Sequence, residues 1–314
     1  TDFIQSIIMS VALIVVLIFG VETAGGIGAV IHNASELPGY LSMTLSYDVN
    51  TGKAAPYSAL TIVSTAAWGL GYFGMPHILL RFMAIEDEKK LKLSRRVATI
   101  WVVISLFVAV FIGVIGYTMS KVGALEMLTG SNSETIIVKI SALLSQHGVI
   151  FALLAGVILA GILASTMSTS DSQLLAASSA VSSDILGAFR KDSSNKNGSM
   201  AAARITLLVI SVVAAFIARN PDSSVFAIVS FAWAGFGAAF GPVVLFSLFW
   251  KRTNKWGALA GMVCGGSMVF IWKYLIRPLG GIWNIYELLP AFLIACAAIV
   301  IVSLLTPKPS KEIE

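Results

Sequence analysis

Hydroxyl side chains are concentrated in one otherwise apolar stretch, ILASTMSTSDSQ, at residues 162–173. On a helix, four of them follow the i, i+3, i+4, i+7 spacing and therefore share one face. They are Ser165, Ser168, Thr169 and Ser172. Hydroxyl and carbonyl oxygens are hard ligands that need no deprotonation, so this face predicts a site for a hard cation such as Na⁺. The alternative is that these hydroxyls only hydrogen-bond to their own helix or to a neighbouring one.

The length of the helix that carries these hydroxyls places them inside a membrane rather than at its surface. A helix over 148–184 would extend about 55 Å at about 1.5 Å per residue, whereas the apolar part of a bilayer is about 30 Å thick. Asp2 is a further candidate, since it stands at the start of an apolar run. An ionisable side chain within a membrane segment is a functional hypothesis by default.

A second group of unusual residues lies in the segment TIVSTAAWGLGYFGMPHILLRFM, residues 61–83. Four residues that weaken a helix fall close together there: Gly69, Gly71, Gly74 and Pro76. Proline cannot donate to the helix ladder and clashes with the preceding turn, and glycine lowers the cost of unwinding. The segment therefore predicts either a kinked helix with close glycine packing or a discontinuous helix that lines a site near the membrane midplane.

Aromatic residues accompany this interruption and would form the walls of a site for a small amphipathic solute. Those in the segment are Trp68, Tyr72 and Phe73. A later stretch, FAWAGFGAAFGPVVLF at residues 231–246, repeats the pattern, with Trp233 as its candidate for the same site. The repeat predicts either a second interruption or, more simply, glycine-mediated helix packing.

The composition shows which elements must position these side chains. Hydrophobic residues make up 57% of the chain and charged residues 12%, which is about half the charged share of a soluble domain. The apolar runs predict an all-α polytopic membrane protein with about eight transmembrane helices. The predicted spans are 3–25, 57–84, 97–119, 148–184, 203–218, 224–250, 256–275 and 286–306.

Basic residues divide unequally between the two sides of these spans. Six of the 21 Lys and Arg residues fall on one side and 15 on the other, and this excess predicts the cytoplasmic side. The predicted cytoplasmic segments are 85–96, 185–202, 251–255 and 307–314. The pattern is a topology signal, so we expect the lipid bilayer as a partner and no nucleic acid. The sequence has no nucleophile–base pair, phosphate-binding loop or metal-ligand spacing, so we expect that the protein is not an enzyme.

Four stretches of the chain resemble the sodium/solute symporter family. They are WGLGYFGMPHILLRFMA (68–84), AGILASTMSTSDSQLLAASSAVSSDI (160–185), SFAWAGFGAAFGPVVLFSLFW (230–250) and NKWGALAGM (254–262). The resemblance runs over essentially the whole chain and implies a LeuT-type inverted-repeat fold. Residues 1–314 would then be a single transporter domain lacking its amino-terminal portion, with the end of the first repeat, the whole second repeat and extra carboxy-terminal helices.

The resemblance also implies roles for individual residues. The Na⁺ ligands would be the Ser165 carbonyl and the hydroxyls of Ser168 and Thr169, with Asp2 matching a family aspartate important for Na⁺ coupling. Trp68, Tyr72 and Pro76 match the substrate-lining part of a broken helix in the second repeat.

The function that this resemblance implies is Na⁺-coupled import of L-proline by alternating access across a bacterial cell membrane. Na⁺ would be the coupling ion and L-proline the small-molecule substrate. Two alternatives stay open. One is a Na⁺ symporter for another small solute, such as a monocarboxylate, pantothenate or a sugar. The other is a transporter-like membrane sensor.

Overall fold

Helices make up most of the computed structural model, which describes residues 2–49, 51–185, 196–220 and 224–309. The α-helices are α1 (Asp2–Thr23), α2 (Ile27–Ser35), α3 (Ala59–Ala66), α4 (Pro76–Met83), α5 (Leu91–Lys121), α6 (Ile136–Leu144), α7 (Val149–Ser179), α8 (Lys196–Ile217), α9 (Val225–Phe249), α10 (Lys255–Ile271) and α11 (Leu288–Leu305). A 3₁₀ helix covers Ala67–Gly74, and π-helical turns cover Ala180–Ile185 and Trp272–Ile276. Shorter 3₁₀ turns lie at Glu88–Lys90, Gly130–Thr135, Ser145–His147, Arg277–Leu279 and Gly281–Trp283.

A small hairpin is the exception to the predicted all-α class. Strands β1 (Leu45–Asp48) and β2 (Lys53–Pro56) pair antiparallel, with Leu45 opposite Pro56 and Asp48 opposite Lys53. The hairpin lies in a connection between two predicted spans. Two strands of this length do not form a hydrophobic core of their own, so the all-α class holds for every membrane-length element.

Seven helices in the described part of the chain are long and apolar enough to cross a bilayer. They are Ile4–Thr23, Glu88–Lys121, Val149–Ser182, Met200–Ile217, Val225–Phe249, Lys255–Leu279 and Leu288–Leu305. These seven confirm the prediction of a polytopic membrane protein. The predicted span at 57–84 is missing from this set because it is not one continuous helix.

The interruption of that span follows from its glycines and its proline. α3 begins at Ala59, after the cap residue Ser58, whose hydroxyl accepts from the Thr61 amide, and it passes into the 3₁₀ helix at Ala67. Met75 then adopts an extended conformation (φ −84°, ψ 111°), as a residue before proline prefers. Pro76 is the first residue of α4, where a missing N–H costs nothing.

Contacts divide the chain into two compact units, and unit 1 comprises Thr1–Leu37 and Glu86–Ser224. Its buried core brings together side chains from α1, α2, α5, α6 and α7. The core residues include Val16, Val30, Ile112, Ile115, Met119, Ile140, Leu144, Ala155 and Ile158. Close packing of α1 on α5 depends on Gly20, where a Cβ would lie 2.8 Å from the Ile115 side chain.

Unit 2 comprises Pro38–Ile85 and Val225–Glu314 and has its own core of small and aromatic residues. Glycines spaced four residues apart on α10 pack against α11: a Cβ at Gly257 would meet Ser303, and one at Gly261 would meet Ile299. This small-residue spacing lets two membrane helices approach closely.

The second glycine- and proline-rich stretch, in contrast, forms an uninterrupted helix. α9 continues through Pro242, so an interruption there is wrong and the simpler packing interpretation is correct. Pro242 has no amide to donate to the Ala238 carbonyl four residues earlier. Gly265 of α10 lies so close to that carbonyl oxygen that a Cβ would stand 2.2 Å from it.

Candidate functional site

The hydroxyl face predicted from the sequence is present on α7. Ser165 and Ser168 are half-buried, and Thr169 is exposed. Thr169 Oγ1 donates to the Ser165 carbonyl (3.3 Å). Ser172 Oγ lies within donating distance of the Ser168 carbonyl (2.8 Å) and the Thr169 carbonyl (3.2 Å). Hydrogen bonding of hydroxyls to their own helix therefore holds for Thr169 and Ser172.

These hydrogen bonds leave the hydroxyls capable of binding a cation. A hydroxyl donates one proton and accepts with two lone pairs, so Thr169 Oγ1 keeps both lone pairs while it donates. The Ser165 carbonyl is different, because it accepts the Thr169 hydroxyl in addition to the helical amide four residues on. A cation bound by that carbonyl has to displace the Thr169 hydroxyl proton from it.

α1 lies against α7 and runs in the opposite direction. Phe19, near the end of α1, contacts the ring of His147, just before α7 begins, with ring centroids 5.2 Å apart. Ile8, nearer the start of α1, packs on Gly161, where a Cβ would lie 3.0 Å from its Cγ2. Continued toward the start of α1, this register brings Asp2 to the level of the α7 hydroxyls. The Asp2 side chain itself lies outside the described residues.

In unit 2, the side chain of Trp233 on α9 lies across the interrupted segment. Its indole Nε1 donates to the Trp68 carbonyl (3.0 Å). A Cβ on Gly71 would stand 1.9 Å from the same nitrogen, and one on Gly237 would stand 2.7 Å from the Gly71 Cα. Glycine at both positions therefore lets α9 approach the 3₁₀ helix, and the indole supplies a local partner where the α-helical ladder is lost.

Five aromatic side chains gather around this contact, and we call them the aromatic wall. Trp68 stacks on Trp233 (5.5 Å between ring centroids), Phe226 (5.5 Å) and Tyr286 (6.0 Å). The ring of Tyr72 meets Trp233 edge-on at 4.8 Å. Three predicted substrate residues, Trp68, Tyr72 and Trp233, thus lie together, whereas the other two were not predicted.

Two predicted substrate residues lie outside the aromatic wall. Phe73 is 41% exposed, and its neighbour Gly74 is the residue of this turn that approaches α9: a Cβ there would lie 2.3 Å from the Phe236 carbonyl oxygen. Pro76 is exposed and begins α4. Its contribution is therefore to the backbone path, since it ends the 3₁₀ helix and starts the next helix.

Tyr286 is a residue of this region that the sequence interpretation missed. Its amide donates to Ser64 Oγ on α3 (3.1 Å), and its hydroxyl donates to the Ser230 carbonyl on α9 (2.6 Å). Burial raises the pKa of the Tyr286 phenol, so the group stays a proton donor. The available signal was weak, because an aromatic residue at the start of a span also fits an interfacial anchor.

Glu287, the next residue, is a buried charge with two cationic partners. Its side chain is 1% exposed, and Arg277 Nη1 donates to its Oε2 at 2.8 Å. Lys273 Nζ lies 3.7 Å from its Oε1 and 4.1 Å from the Phe231 ring centroid. A buried carboxylate needs such partners, so these contacts fix the start of α11 and, with it, Tyr286.

Known proteins are similar to this chain along almost its whole length. The family model described as the sodium:solute symporter family matches residues 1–265. The chain belongs to the sodium:solute symporter family. It is 37% identical over 311 residues to the osmoregulated proline transporter OpuE of Bacillus subtilis (strain 168), an alignment that covers 99% of this chain and 59% of that protein.

Two further members of the sodium:solute symporter family show the same extent of similarity. The chain is 41% identical over 256 residues to a sodium/proline symporter of Haemophilus influenzae, covering 81% of this chain and 50% of that protein. It is 37% identical over 315 residues to a sodium/proline symporter of Salmonella typhimurium, covering 100% of this chain and 59% of that protein. The chain thus spans between half and three fifths of the length of these relatives.

Membership in the sodium:solute symporter family confirms several predictions made from the sequence. The family is one of symporters, which supports the prediction of a transporter with a LeuT-type fold rather than an enzyme. With seven helices of membrane length in the described residues, it is a multi-pass protein of the cell membrane. The single-domain interpretation and the assignment of each site residue stay predictions.

Proposed function

We propose that the protein is a Na⁺-coupled symporter that imports L-proline by alternating access. The observation that carries this proposal is similarity over most of the chain to proteins named as proline transporters and sodium/proline symporters. We further propose that residues 1–314 form one transporter domain, in which unit 1 contributes Na⁺ ligands and unit 2 contributes the substrate-binding residues.

The proposed Na⁺ ligands are the Ser165 carbonyl, the hydroxyls of Ser168 and Thr169, and Asp2. Support comes from the shared face on α7 and from the antiparallel register of α1, which brings residue 2 to the same level. Oxygen ligands that bind without losing a proton suit a hard monovalent cation. The Thr169 hydroxyl lies beside the Ser165 carbonyl before the ion arrives, and its proton leaves that carbonyl when the ion binds.

The proposed substrate site is built on the interrupted segment in unit 2, with Trp68, Tyr72, Phe73, Pro76 and Trp233 as its residues. Proline has an apolar ring and two opposite charges. Aromatic faces suit the ring, and the ends of broken helices present partial charges of both signs: free carbonyls at the end of one helix and free amides at the start of the next.

Coupling requires that each ligand increase the affinity for the other. If Na⁺ raises the affinity for proline by some factor, proline raises the affinity for Na⁺ by the same factor, because the coupling free energy is reciprocal. This reciprocity separates a symporter from a carrier that merely tolerates Na⁺, since both affinities are measurable on one purified protein.

The test is uptake of labelled L-proline by the full-length gene product reconstituted in liposomes, with an inward gradient of Na⁺ or of K⁺. We expect accumulation with Na⁺ only. Equal uptake in the two gradients would reject the coupling. A competition panel with a monocarboxylate, pantothenate and a sugar tests the substrate, and displacement of proline by one of these at lower concentration than proline itself would reject the assignment.

A further inference from the structure

A cavity in unit 2, away from the residues considered so far, lies where α9 ends, α10 begins and the chain leaves α11. Its volume is about 860 Å³, which is within the size range of ligand sites. Three lysines line it: Lys251, Lys255 and Lys308. Two tryptophans, Trp250 and Trp256, line it as well.

The charge of this cavity is of one sign. The described residues that line it include no Asp or Glu. Within the same described part of the chain, none of the three lysines forms an ion pair. α10 begins at Lys255, so the positive end of its helix dipole faces the same region. These features together favour an anion.

The floor of the cavity is held in place by hydrogen bonds between its elements. Asn254 is 8% exposed, and its Nδ2 donates to Thr306 Oγ1 (2.7 Å) and to the Pro307 carbonyl (2.8 Å). Its Oδ1 accepts from the Gly257 amide (2.9 Å) and caps α10. Arg252 donates to the Thr306 carbonyl (2.8 Å). The cavity is therefore preformed and not a gap between loose loops.

The position of the cavity favours a lipid over a free anion. Three membrane-length helices begin or end at it, at Phe249, Lys255 and Leu305, so it lies at the depth of the lipid headgroups. Tryptophan is enriched at that depth. Leu248 and Phe249 beside it are 71% and 82% exposed and offer apolar surface for acyl chains. A free phosphate would make no use of these two side chains.

We propose that this cavity binds the headgroup of an anionic phospholipid, with Lys251, Lys255 and Lys308 contacting the phosphate. Basic pockets between membrane helices are a known way of binding such headgroups. The predicted excess of basic residues places this side of the membrane in the cytoplasm, so the lipid belongs to the inner leaflet. The inference stands independently of the transported substrate.

The experiment measures lipid binding to the detergent-purified full-length protein by native mass spectrometry. The probes are phosphatidylglycerol, phosphatidylethanolamine and phosphatidylcholine with identical acyl chains, and inorganic phosphate as a competitor. The test variant is K251Q/K255Q/K308Q. The control variant is K89Q/K90Q/K92Q, which removes three exposed lysines from another predicted cytoplasmic segment.

The expected result is preferential binding of phosphatidylglycerol that weakens at least about tenfold in the test variant and stays within about twofold in the control. Unchanged binding in the test variant, or the same loss in both variants, would overturn the proposal. Displacement of the lipid by millimolar phosphate alone would also overturn it in favour of a free-anion site. If the triple variant does not fold, K308Q alone, in the segment after α11, is measured instead. We expect it to lose part of the phosphatidylglycerol binding, and unchanged binding would overturn the proposal.

Discussion

The two units present oxygen atoms within a membrane by different means. In unit 1, hydroxyl side chains stand on α7, whose backbone is helical throughout Val149–Ser179. In unit 2, the backbone itself leaves the α-helix between α3 and α4, and aromatic side chains surround the freed groups. Lipid offers no hydrogen bonds, so the first arrangement keeps its helical backbone bonds and adds side-chain oxygens, whereas the second needs a local partner for every freed backbone group.

This difference predicts opposite sensitivities. The aromatic wall of unit 2 is closely packed against glycine backbone, so there is no space for even one added carbon atom. The hydroxyl face of unit 1 is exposed or half-buried, so it tolerates volume changes. There, removal of one oxygen should matter instead. The following substitutions test this contrast, from the largest expected effect to the smallest.

Gly71→Ala should have the largest effect. Its new Cβ would meet the indole of Trp233 at 1.9 Å, and overpacking of this kind costs about 1–3 kcal/mol or more. We expect Trp233 to leave the Trp68 carbonyl and proline uptake to fall to background. Gly69→Ala is the matched control, because a Cβ there meets nothing within 4 Å. Uptake by Gly71→Ala equal to that of Gly69→Ala would contradict the packing argument.

Glu287→Gln should lower the thermal unfolding midpoint of the full-length protein in detergent. It leaves Arg277 and Lys273 beside a neutral group. Loss of one partner of a buried pair costs about 3–5 kcal/mol, which we reduce to about 2–3 kcal/mol because the Arg277 side chain is 40% exposed. Glu126→Gln, at an exposed pair with Lys139, is the control and should change the midpoint far less. Equal shifts in the two variants would argue that burial of Glu287 is unimportant.

Thr169→Ala should raise the Na⁺ concentration for half-maximal proline uptake about tenfold or more, since a hydrogen-bond-strength contact to a charge contributes about 1.5–3 kcal/mol. Thr169→Ser keeps the hydroxyl and should stay close to the original value. Ser170→Ala, an exposed hydroxyl on another face of α7, is the control. If Thr169→Ala and Ser170→Ala have the same Na⁺ dependence, the assignment of this oxygen is wrong.

Tyr286→Phe should raise the KM for proline about fivefold while leaving kcat almost unchanged. It removes the 2.6 Å hydrogen bond to the Ser230 carbonyl, worth about 1 kcal/mol, but keeps the stacking on Trp68. Tyr274→Phe serves as the control, because Tyr274 is 61% exposed and its ring meets the ring of Phe231 rather than the aromatic wall. A KM that stays constant in Tyr286→Phe would show that the Tyr286 hydroxyl does not help the aromatic wall to bind proline.

Local rules explain which parts of this structure were predictable. The interruption at 57–84 follows from four helix-weakening residues within a few positions, and the shared hydroxyl face follows from helical periodicity. The similar stretch in α9 was ambiguous, because Pro242 and its glycines look the same whether a helix breaks or packs. The structure resolves the ambiguity, because α9 continues through Pro242 and packs closely on α10 where Gly265 lies beside the Ala238 carbonyl.

Non-local contacts account for the residues that were missed. Tyr286 contacts Ser64 and Trp68, more than two hundred positions earlier in the chain, and no periodicity connects them. Glu287 reads as a solvated charge at the start of a span until Arg277 and Lys273 are seen beside it. The hairpin at Leu45–Pro56 was missed for another reason: its strands are short, and half their residues are exposed.

The smallest effect concerns pH and separates the exposed charges of unit 1 from the buried charge of unit 2. A hydrogen bond and the charge of Lys121 hold the pKa of the Glu36 carboxyl below its ordinary value of 4.5. A carboxyl with a lowered pKa in the folded state stabilises the fold above that ordinary value, and this contribution is lost as the pH falls through the folded pKa. Glu36→Gln should therefore lower the unfolding midpoint slightly at pH 7 and make no difference once the pH is well below 4.5.

Choline chloride at high concentration should shrink the same small difference by screening, without supplying the coupling ion. A difference between Glu36→Gln and the unchanged protein that persists at low pH would show that the side chain acts through packing and not through its charge.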